Sequence, residues 1–194
     1  MSSKEEIESF YPTTTHEWRA WLQDNHEEKR AVWLICYKKS SDKPSISWSD
    51  AVDEALCFGW IDSVRKSVDE EKFIQFYCKR KAVSTWSKIN KNKIQRLIKE
   101  GKMTRAGMEI VAIAKENGSW TILDTVEALL IPDDLEAAFG HHPGAKDFFL
   151  GLSRSIRKGI LYWLVQAKRT ETRQKRINEV AELAGQQLRP KQFR

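Results

Sequence analysis

Glu54 and Asp62 provide two carboxylates, and Arg65 and Arg80 provide two guanidinium groups, within one short stretch of chain. These side chains are the ones best suited to chemistry. Asp62 and Arg65 lie between Glu54 and Arg80, both on one predicted strand. A carboxylate beside an apolar residue such as Trp60 can have a raised pKa and act as a general acid or base, while an arginine can hold an anion. The same charges can equally form structural ion pairs that join a helix to a sheet, and both interpretations stay open.

A second polar group follows within a few positions. The sequence Trp86-Ser87-Lys88-x-Asn90 places a hydroxyl, an ammonium and an amide at the expected first turn of a helix. Backbone N–H groups point outward there, so the group suits a phosphate, a carboxylate or a nucleic-acid backbone. The alternative is that Ser87 or Thr85 caps the helix while the lysine stays in solvent. From both groups we predict one ligand pocket, made of Glu54, Trp60, Asp62, Arg65, Arg80, Trp86, Ser87 and Asn90.

Short periodic segments must position these residues. Ser47 precedes an amphipathic run that predicts a helix over residues 48–58, and Gly59 suits the turn that ends it. Alternating residues then predict a hairpin with strands at 61–68 and 72–79. The β-branched and aromatic segment 31–39 predicts a third strand that pairs with this hairpin.

The expected fold class is α+β. We predict a small antiparallel β-sheet of about three strands packed by helices, followed by a mainly helical C-terminal half. The chain of 194 residues fits a single domain over 1–194. Within that domain we expect an α+β core at 12–120, a helical part at 121–185 and a flexible tail at 186–194.

Positive charge is concentrated in two blocks. Residues 79–105 hold ten basic residues and one acidic residue, and residues 153–176 hold eight and one, in a chain of net charge +6. Such blocks bind polyanions, and they also occur on the solvated faces of helices. The candidate anion or nucleic-acid surface consists of Lys88, Lys91, Arg96, Lys168, Arg169, Arg173 and Arg176.

Several kinds of chemistry lack their usual motifs. There is no GxxxxGK[ST], GxGxxG, HExxH, CxxC or GxSxG sequence, and we expect no cofactor. The adjacent His141 and His142 have no cysteine or acid at ligand spacing, so we expect no metal site. Three cysteines, an odd number, favour free thiols and a cytoplasmic location. No apolar run approaches the roughly 18 residues of a membrane span, so we expect no membrane insertion.

Four longer motifs resemble one known family. They are EALCFGWIDS at 54–63, KRKAVSTWSKINKNKIQRLIKEGKMTRAGM at 79–108, AKENGSW at 114–120 and AKRTETRQKRINEV at 167–180. Their types and order resemble the YdeI/OmpD-associated family, also called the bacteriocin-protection family, over about residues 18–183. The resemblance implies a link to tolerance of bacteriocins and antimicrobial peptides, without an agreed activity, cofactor or catalytic set. It also implies a shared pocket that contains Gly59 and every pocket residue named above except Arg65.

Three functions remain open. The favoured one is a non-enzymatic binding or regulatory protein whose partner is a small anionic ligand or a protein; capture of cationic peptides is disfavoured by the net charge of +6. The second is a nucleic-acid-binding protein that uses the basic blocks at 79–105 and 153–176. The third is a small enzyme that uses the 54–90 pocket, with Glu54 or Asp62 as acid or base and Arg80 as the anion-holding group.

Overall fold

The computed structural model describes residues 7–194 and divides them into two compact units. The first unit contains the described residues up to Ser84 together with Ile89–Ser119, and the second contains Thr85–Lys88 and Trp120–Arg194. The main boundary lies at 119/120, and the expected α+β core ends at residue 120. The assignment of both parts to a single domain stays a prediction.

The fold class is α+β, as predicted, with four strands and nine α-helices in the described residues. The strands are β1 (Ser9–Phe10), β2 (Ala31–Tyr37), β3 (Trp60–Ser67) and β4 (Lys72–Lys79). The helices are α1 (Thr15–Asn25), α2 (Trp48–Cys57), α3 (Lys88–Lys99), α4 (Arg105–Glu116), α5 (Asp124–Glu127), α6 (Asp133–Phe139), α7 (Ala145–Gly151), α8 (Arg154–Val165) and α9 (Thr170–Gly185).

The sheet has the order β1-β2-β4-β3. Strand β4 pairs antiparallel with both β2 and β3, as the hairpin and third-strand predictions require. The short strand β1 adds a fourth member and runs parallel to β2, with Ser9 opposite Trp33 and Phe10 opposite Leu34. Two residues carry too little periodic signal to be recognised as a strand, so the sequence predicted one strand too few.

One face of the sheet packs under α1 and α2, and we call it the inner face. The indole of Trp18 is fully buried there, donates from Nε1 to the Ala51 carbonyl at 3.0 Å and meets the Tyr77 ring at 5.4 Å. Large apolar side chains of both helices and of the inner strand positions complete this core. Helix α2 begins as predicted, because the Ser47 hydroxyl accepts a hydrogen bond from the Asp50 N–H group.

Helix α4 crosses α2 at very short range in the first unit. The Thr104 hydroxyl donates to the Cys57 carbonyl at 2.6 Å, and the Thr104 N–H group donates to the same oxygen at 3.1 Å. A Cβ atom added at Gly107 would lie 2.2 Å from that carbonyl oxygen and 2.7 Å from its carbon. Only glycine fits, because both neighbouring atoms belong to backbone and cannot rotate away.

The second unit is a helical cluster with its own core. Helices α5 to α9 bury an apolar set that includes Leu135, Phe149, Ile160 and Ile177. Within the predicted flexible tail, Lys191–Phe193 form a turn of 3-10 helix, and the Phe193 ring lies 6.0 Å from the Trp163 ring.

We expect Gly107→Ala to lower the free energy of unfolding of the first unit by about 3 kcal/mol, because the new methyl group forces α2 and α4 apart. Gly151→Ala is the control, since an added Cβ there meets nothing within 4 Å. Urea unfolding followed by circular dichroism measures both variants. Equal stability of Gly107→Ala and the wild type would contradict the close crossing.

Candidate functional site

A β-bulge in β3 decides which side chains reach the inner face. Asp62 lies opposite Tyr77 and Arg65 lies opposite Gln75, so three steps along β3 match two steps along β4. Side chains alternate between the faces of a strand, and one extra residue reverses that alternation. The bulge therefore places Arg65 on the same face as Asp62, whereas an unbroken strand would place it on the opposite face.

Arg65 lines a groove at the end of the sheet. Its guanidinium carbon lies 3.6 Å from the centre of the Phe73 ring, a stacked cation–π arrangement. The groove has a volume of about 410 Å³ and lies between the ends of β2, β3 and β4, the loop that follows β2, and the first turn of α2. It is lined by Tyr37, Lys38, Lys39, Ser41, Lys43, Ser45, Ile46, Ser47, Trp48, Arg65 and Phe73.

Three contacts hold the loop that forms one wall of the groove. The Tyr11 hydroxyl donates to the Pro44 carbonyl at 2.5 Å. The Ser45 hydroxyl accepts from the Tyr37 N–H group at 3.0 Å. The Lys43 ammonium lies 4.8 Å from the centre of the Tyr37 ring. The wall is thus tied to β2 and to the residue that follows β1, so the groove is formed before any ligand arrives.

Trp48 presents an open aromatic surface to the groove. Its side chain is 51% exposed, although tryptophan is mostly buried in folded proteins. The indole Nε1 donates to the Asp62 carboxylate at 2.9 Å, which fixes the orientation of the ring. The predicted pocket residue Asp62 therefore acts by holding Trp48 in place.

The groove is electropositive. Arg65 and three lysines line it, and none of its described lining residues is acidic. Lys38 donates to the Asp69 carbonyl at 3.1 Å, and the Lys43 ammonium is 4.0 Å from the Glu71 carboxylate, the outer limit of an ion pair. The groove thus combines positive charge with the rings of Tyr37, Trp48 and Phe73, a set that suits a flat anionic ligand.

The predicted carboxylate Glu54 has a structural partner. Its side chain is buried on α2 and accepts a hydrogen bond from Arg19 Nη1 at 2.7 Å, while Arg19 Nη2 donates to the Lys102 carbonyl at 2.8 Å. The neighbouring Asp53 likewise accepts from Lys93 Nζ at 2.6 Å and from Arg96. These contacts join α2 to α1 and α3, which is the structural interpretation of the acidic helix.

Trp60, Asp62 and Arg80 occupy one region of the first unit, and their membership of a ligand pocket stays a prediction. The Arg80 N–H group donates to the Gly59 carbonyl at 2.9 Å. Burial lowers the pKa of the Arg80 guanidinium to about 10, and the nearby Asp62 carboxylate opposes that shift. The Tyr77 hydroxyl and Trp60 Nε1 are buried without a hydrogen-bond partner among the described residues. The region is packed tightly and resembles a core more than an open pocket.

The remaining predicted pocket residues are divided between the units. Trp86 and Ser87 belong to the second unit, where the Trp86 ring lies buried 4.9 Å from the Trp120 ring. Asn90 belongs to the first unit, on α3. Helix α3 begins at Lys88, so Ser87, one of the two suggested caps, immediately precedes the helix, and Thr85, the other, lies farther upstream.

Three cations of the predicted anion surface make intramolecular contacts. Arg96 pairs with Asp53 and, at 2.9 Å, with Glu100. Arg173 donates to both Asp134 oxygens, at 2.6 and 2.9 Å, which lowers the pKa of that carboxyl group. Arg176 donates to the Trp163 carbonyl at 2.5 Å. Lys88, Lys168 and Arg169 are exposed, and Lys91 is half-buried on α3.

Residues 7–194 contain no group of three or more His, Cys, Asp or Glu side chains that could hold a metal ion. No helix in this part of the chain has the length and apolar character needed to cross a membrane. The cysteines Cys36 and Cys57 are buried, and Cys78 is partly exposed on β4. Burial raises the pKa of the Cys36 and Cys57 thiols to about 11, and it raises that of Cys78 as well.

Fold and groove together define a class: an α+β protein with an aromatic, electropositive groove at one end of a small sheet. Comparison with known families adds two matches. Residues 10–110, just over half of the chain, match a domain of unknown function (DUF8412). Residues 128–187 match the family described as "Bacteriocin-protection, YdeI or OmpD-Associated". No curated protein and no solved structure matches the chain.

The chain belongs to the DUF8412 family, and its C-terminal part carries the YdeI/OmpD-associated region that the sequence motifs indicated. The basic motif at 167–180 lies inside the second match, whereas the motifs at 54–63 and 79–108 lie inside the first. The Trp48–Arg65 groove lies wholly within the DUF8412 match.

Sequence reasoning included Arg65 and Asp62 but missed the groove. The loop after β2 has no predicted role there, and Trp48 is predicted only as the first residue of a helix. Two signals were present: an aromatic residue at the first helical position, and lysines at 38, 39 and 43. Neither signal indicates a ligand site by itself. They do so together only because the bulge places Arg65 in the same groove.

We expect Glu54→Gln to lower the free energy of unfolding by about 2 kcal/mol, because it leaves the partly buried Arg19 guanidinium without its counter-charge. Glu109→Gln is the matched control, since the Arg105–Glu109 pair is exposed and should contribute little. Urea titration of both variants tests this difference. Equal losses would show that the Arg19–Glu54 pair is no more than a surface contact.

We expect iodoacetamide at pH 8 to modify Cys78 before Cys36 or Cys57. Alkylation requires the thiolate, and burial keeps the two buried thiols protonated far above that pH. Mass spectrometry of peptides from the native protein gives the order, and urea-denatured protein, in which all three should react alike, is the control. Preferential labelling of Cys57 would instead indicate an activated thiol.

Proposed function

We propose that this protein is a non-enzymatic binding protein that holds a small anionic ligand with a flat ring in the Trp48–Arg65 groove. The observation that carries the proposal is the position of Arg65. The bulge aims its guanidinium into the groove, the Phe73 ring supports it from one side, and three lysines lie along the same cavity. A guanidinium held in this way presents a planar set of donors to a phosphate or carboxylate.

The exposed indole of Trp48 supports a ring in the ligand. Its N–H group is already used by Asp62, so the free surface of the side chain is its apolar face. Stacking on an indole face is favourable for any planar ring, and the nearby cations neutralise an attached anionic group. A nucleoside monophosphate has both parts and serves as a probe of this ligand class.

The geometry favours binding over catalysis. Glu54 is paired with Arg19, and Asp62 is hydrogen-bonded to Trp48, so both proposed acid–base groups already have structural partners. An enzyme would need one of them to reach a bound substrate.

The link to peptide tolerance is part of this proposal. It is supported by the family description "Bacteriocin-protection, YdeI or OmpD-Associated", which matches residues 128–187. Direct capture of cationic bacteriocins or antimicrobial peptides is opposed by the net charge of +6, so we infer an indirect, regulatory role through the bound ligand. A cytoplasmic location belongs to the same proposal, supported by the odd number of cysteines.

We expect AMP to bind more tightly than adenosine or inorganic phosphate, because only AMP uses the ring and the cations together. Arg65→Met should weaken AMP binding about tenfold, since it removes a charge-assisted hydrogen-bonding group. Lys99→Met, at the exposed end of α3, is the charge-matched control and should leave binding unchanged. Isothermal titration calorimetry measures all of these affinities.

The same titrations can reject the proposal. If AMP, adenosine and phosphate all fail to bind at millimolar concentration, the groove is not a site for this ligand class. If AMP binds but Arg65→Met and Lys99→Met weaken it equally, the contact is non-specific charge attraction. Trp48→Leu should lower the affinity for AMP while leaving the affinity for phosphate unaltered. This difference would distinguish the ring-binding part of the groove from its phosphate-binding part.

A further inference from the structure

The two faces of the sheet differ in how far their apolar side chains are buried, and the groove does not account for this difference. On the inner face, Val32, Leu34 and Tyr77 are fully buried. On the opposite face, which we call the outer face, apolar side chains of the two central strands remain partly exposed. The larger side chains of the outer face are Tyr11, Trp33, Ile35, Tyr37, Ile74 and Phe76.

Aromatic rings form two pairs on the outer face. Trp33 on β2 lies directly opposite Phe76 on β4, with their ring centres 4.8 Å apart. Tyr11 and Tyr37 form the second pair, with ring centres 5.2 Å apart. Trp33 and Tyr37 are four residues apart on one strand, or about 13 Å. That distance equals the length of about four stacked nucleotides in a single strand.

Lysines accompany both aromatic pairs. The Lys66 ammonium lies 4.6 Å from the centre of the Trp33 ring, and the Lys43 ammonium lies 4.8 Å from that of Tyr37. Lys66 reaches this face because the same bulge that turns Arg65 inward turns Lys66 outward. Partly exposed rings next to ammonium groups provide stacking surfaces for bases and contacts for phosphates.

We propose that the outer face binds single-stranded nucleic acid, with bases stacked on Trp33, Phe76 and Tyr37 and with phosphates near Lys66 and Lys43. A second copy of the chain is the less suitable occupant. A twofold interface on this face would bury Lys66 and Lys43 of both copies in a largely apolar contact, where the Glu71 carboxylate lies near Lys43 only at 4.0 Å.

The outer face is continuous with the Trp48–Arg65 groove, because Tyr37 and Lys43 belong to both. A strand that places a phosphate in the groove can continue along β2 over Tyr37 toward Trp33. This inference rests on the proposed function, because it identifies the anionic ligand of the groove. That ligand is a nucleotide chain, and one of its terminal or internal phosphates occupies the groove. The basic blocks at 79–105 and 153–176 are not needed for this binding.

The test is fluorescence anisotropy with labelled single-stranded RNA and DNA of one sequence, roughly ten nucleotides long, at low and physiological salt. We expect binding that falls as salt rises, and a loss of about tenfold in Phe76→Leu. Lys66→Met should weaken binding by a smaller factor and carries no risk to the core. Lys99→Met is the charge-matched control, and circular dichroism confirms that Phe76→Leu is folded.

Each outcome separates this inference from the proposed function. If AMP binds through Arg65 but the oligonucleotides bind no more tightly than AMP, the groove stands and the outer face is not a nucleic-acid site. If oligonucleotides bind, and Phe76→Leu weakens that binding but Arg65→Met does not, nucleic-acid binding by the outer face is supported and the groove proposal is rejected. If sedimentation shows a dimer that Phe76→Leu dissociates, and no oligonucleotide binds, the occupant is a second copy and the inference is overturned. A preference for RNA over DNA would identify contacts to the 2′-hydroxyl.

Discussion

One extra residue in β3 determines which charged side chains lie on each face of the sheet in the first unit. Side chains alternate along a strand, so a single insertion changes the face of every residue beyond it. Here the change occurs between Asp62 and Arg65, which turns an arginine toward the groove and Lys66 toward the outer face. The pairing of β3 with β4 is regular on both sides of the bulge, so the loss of regular pairing is confined to the bulge itself. The Arg65 of the groove and the Lys66 of the outer face both depend on this one irregularity.

Basic residues serve two purposes in this chain, and the sequence alone does not separate them. Arg19, Lys93 and Arg96 engage carboxylates of α2, and Arg173 engages Asp134 in the second unit. A count of basic residues along the sequence therefore overestimates the positive charge that is available to a ligand. The groove has only four cations, but none of its described lining residues is acidic, so its positive charge is not cancelled within its own lining.

Local patterns predicted most of the fold. The cap at Ser47, the glycine after α2 and the alternation in β2 and β4 each reflect an interaction within a few residues of chain, and these elements were found. Strand β1 was missed because two residues depend on a partner strand more than on their own pattern. The groove was missed for a related reason: Lys43, Trp48 and Arg65 meet only after the sheet has formed, and a bulge leaves no distinct mark in a strand that already alternates imperfectly. Trp86 was predicted in the pocket from its neighbours in sequence; its ring packs on Trp120, and its place in a ligand pocket stays a prediction.

The hydrogen bond from Tyr11 to Pro44 gives the short strand β1 an influence beyond its size. Two ladder residues provide little resistance to fraying, so the segment before α1 should open more often than the central strands do. Each opening would carry Tyr11 away and release the wall of the groove for the same interval. If the groove holds a ligand as proposed, the rate of ligand release would depend partly on how long this two-residue strand stays paired. Changes near the start of the chain that touch no ligand atom would then alter that rate.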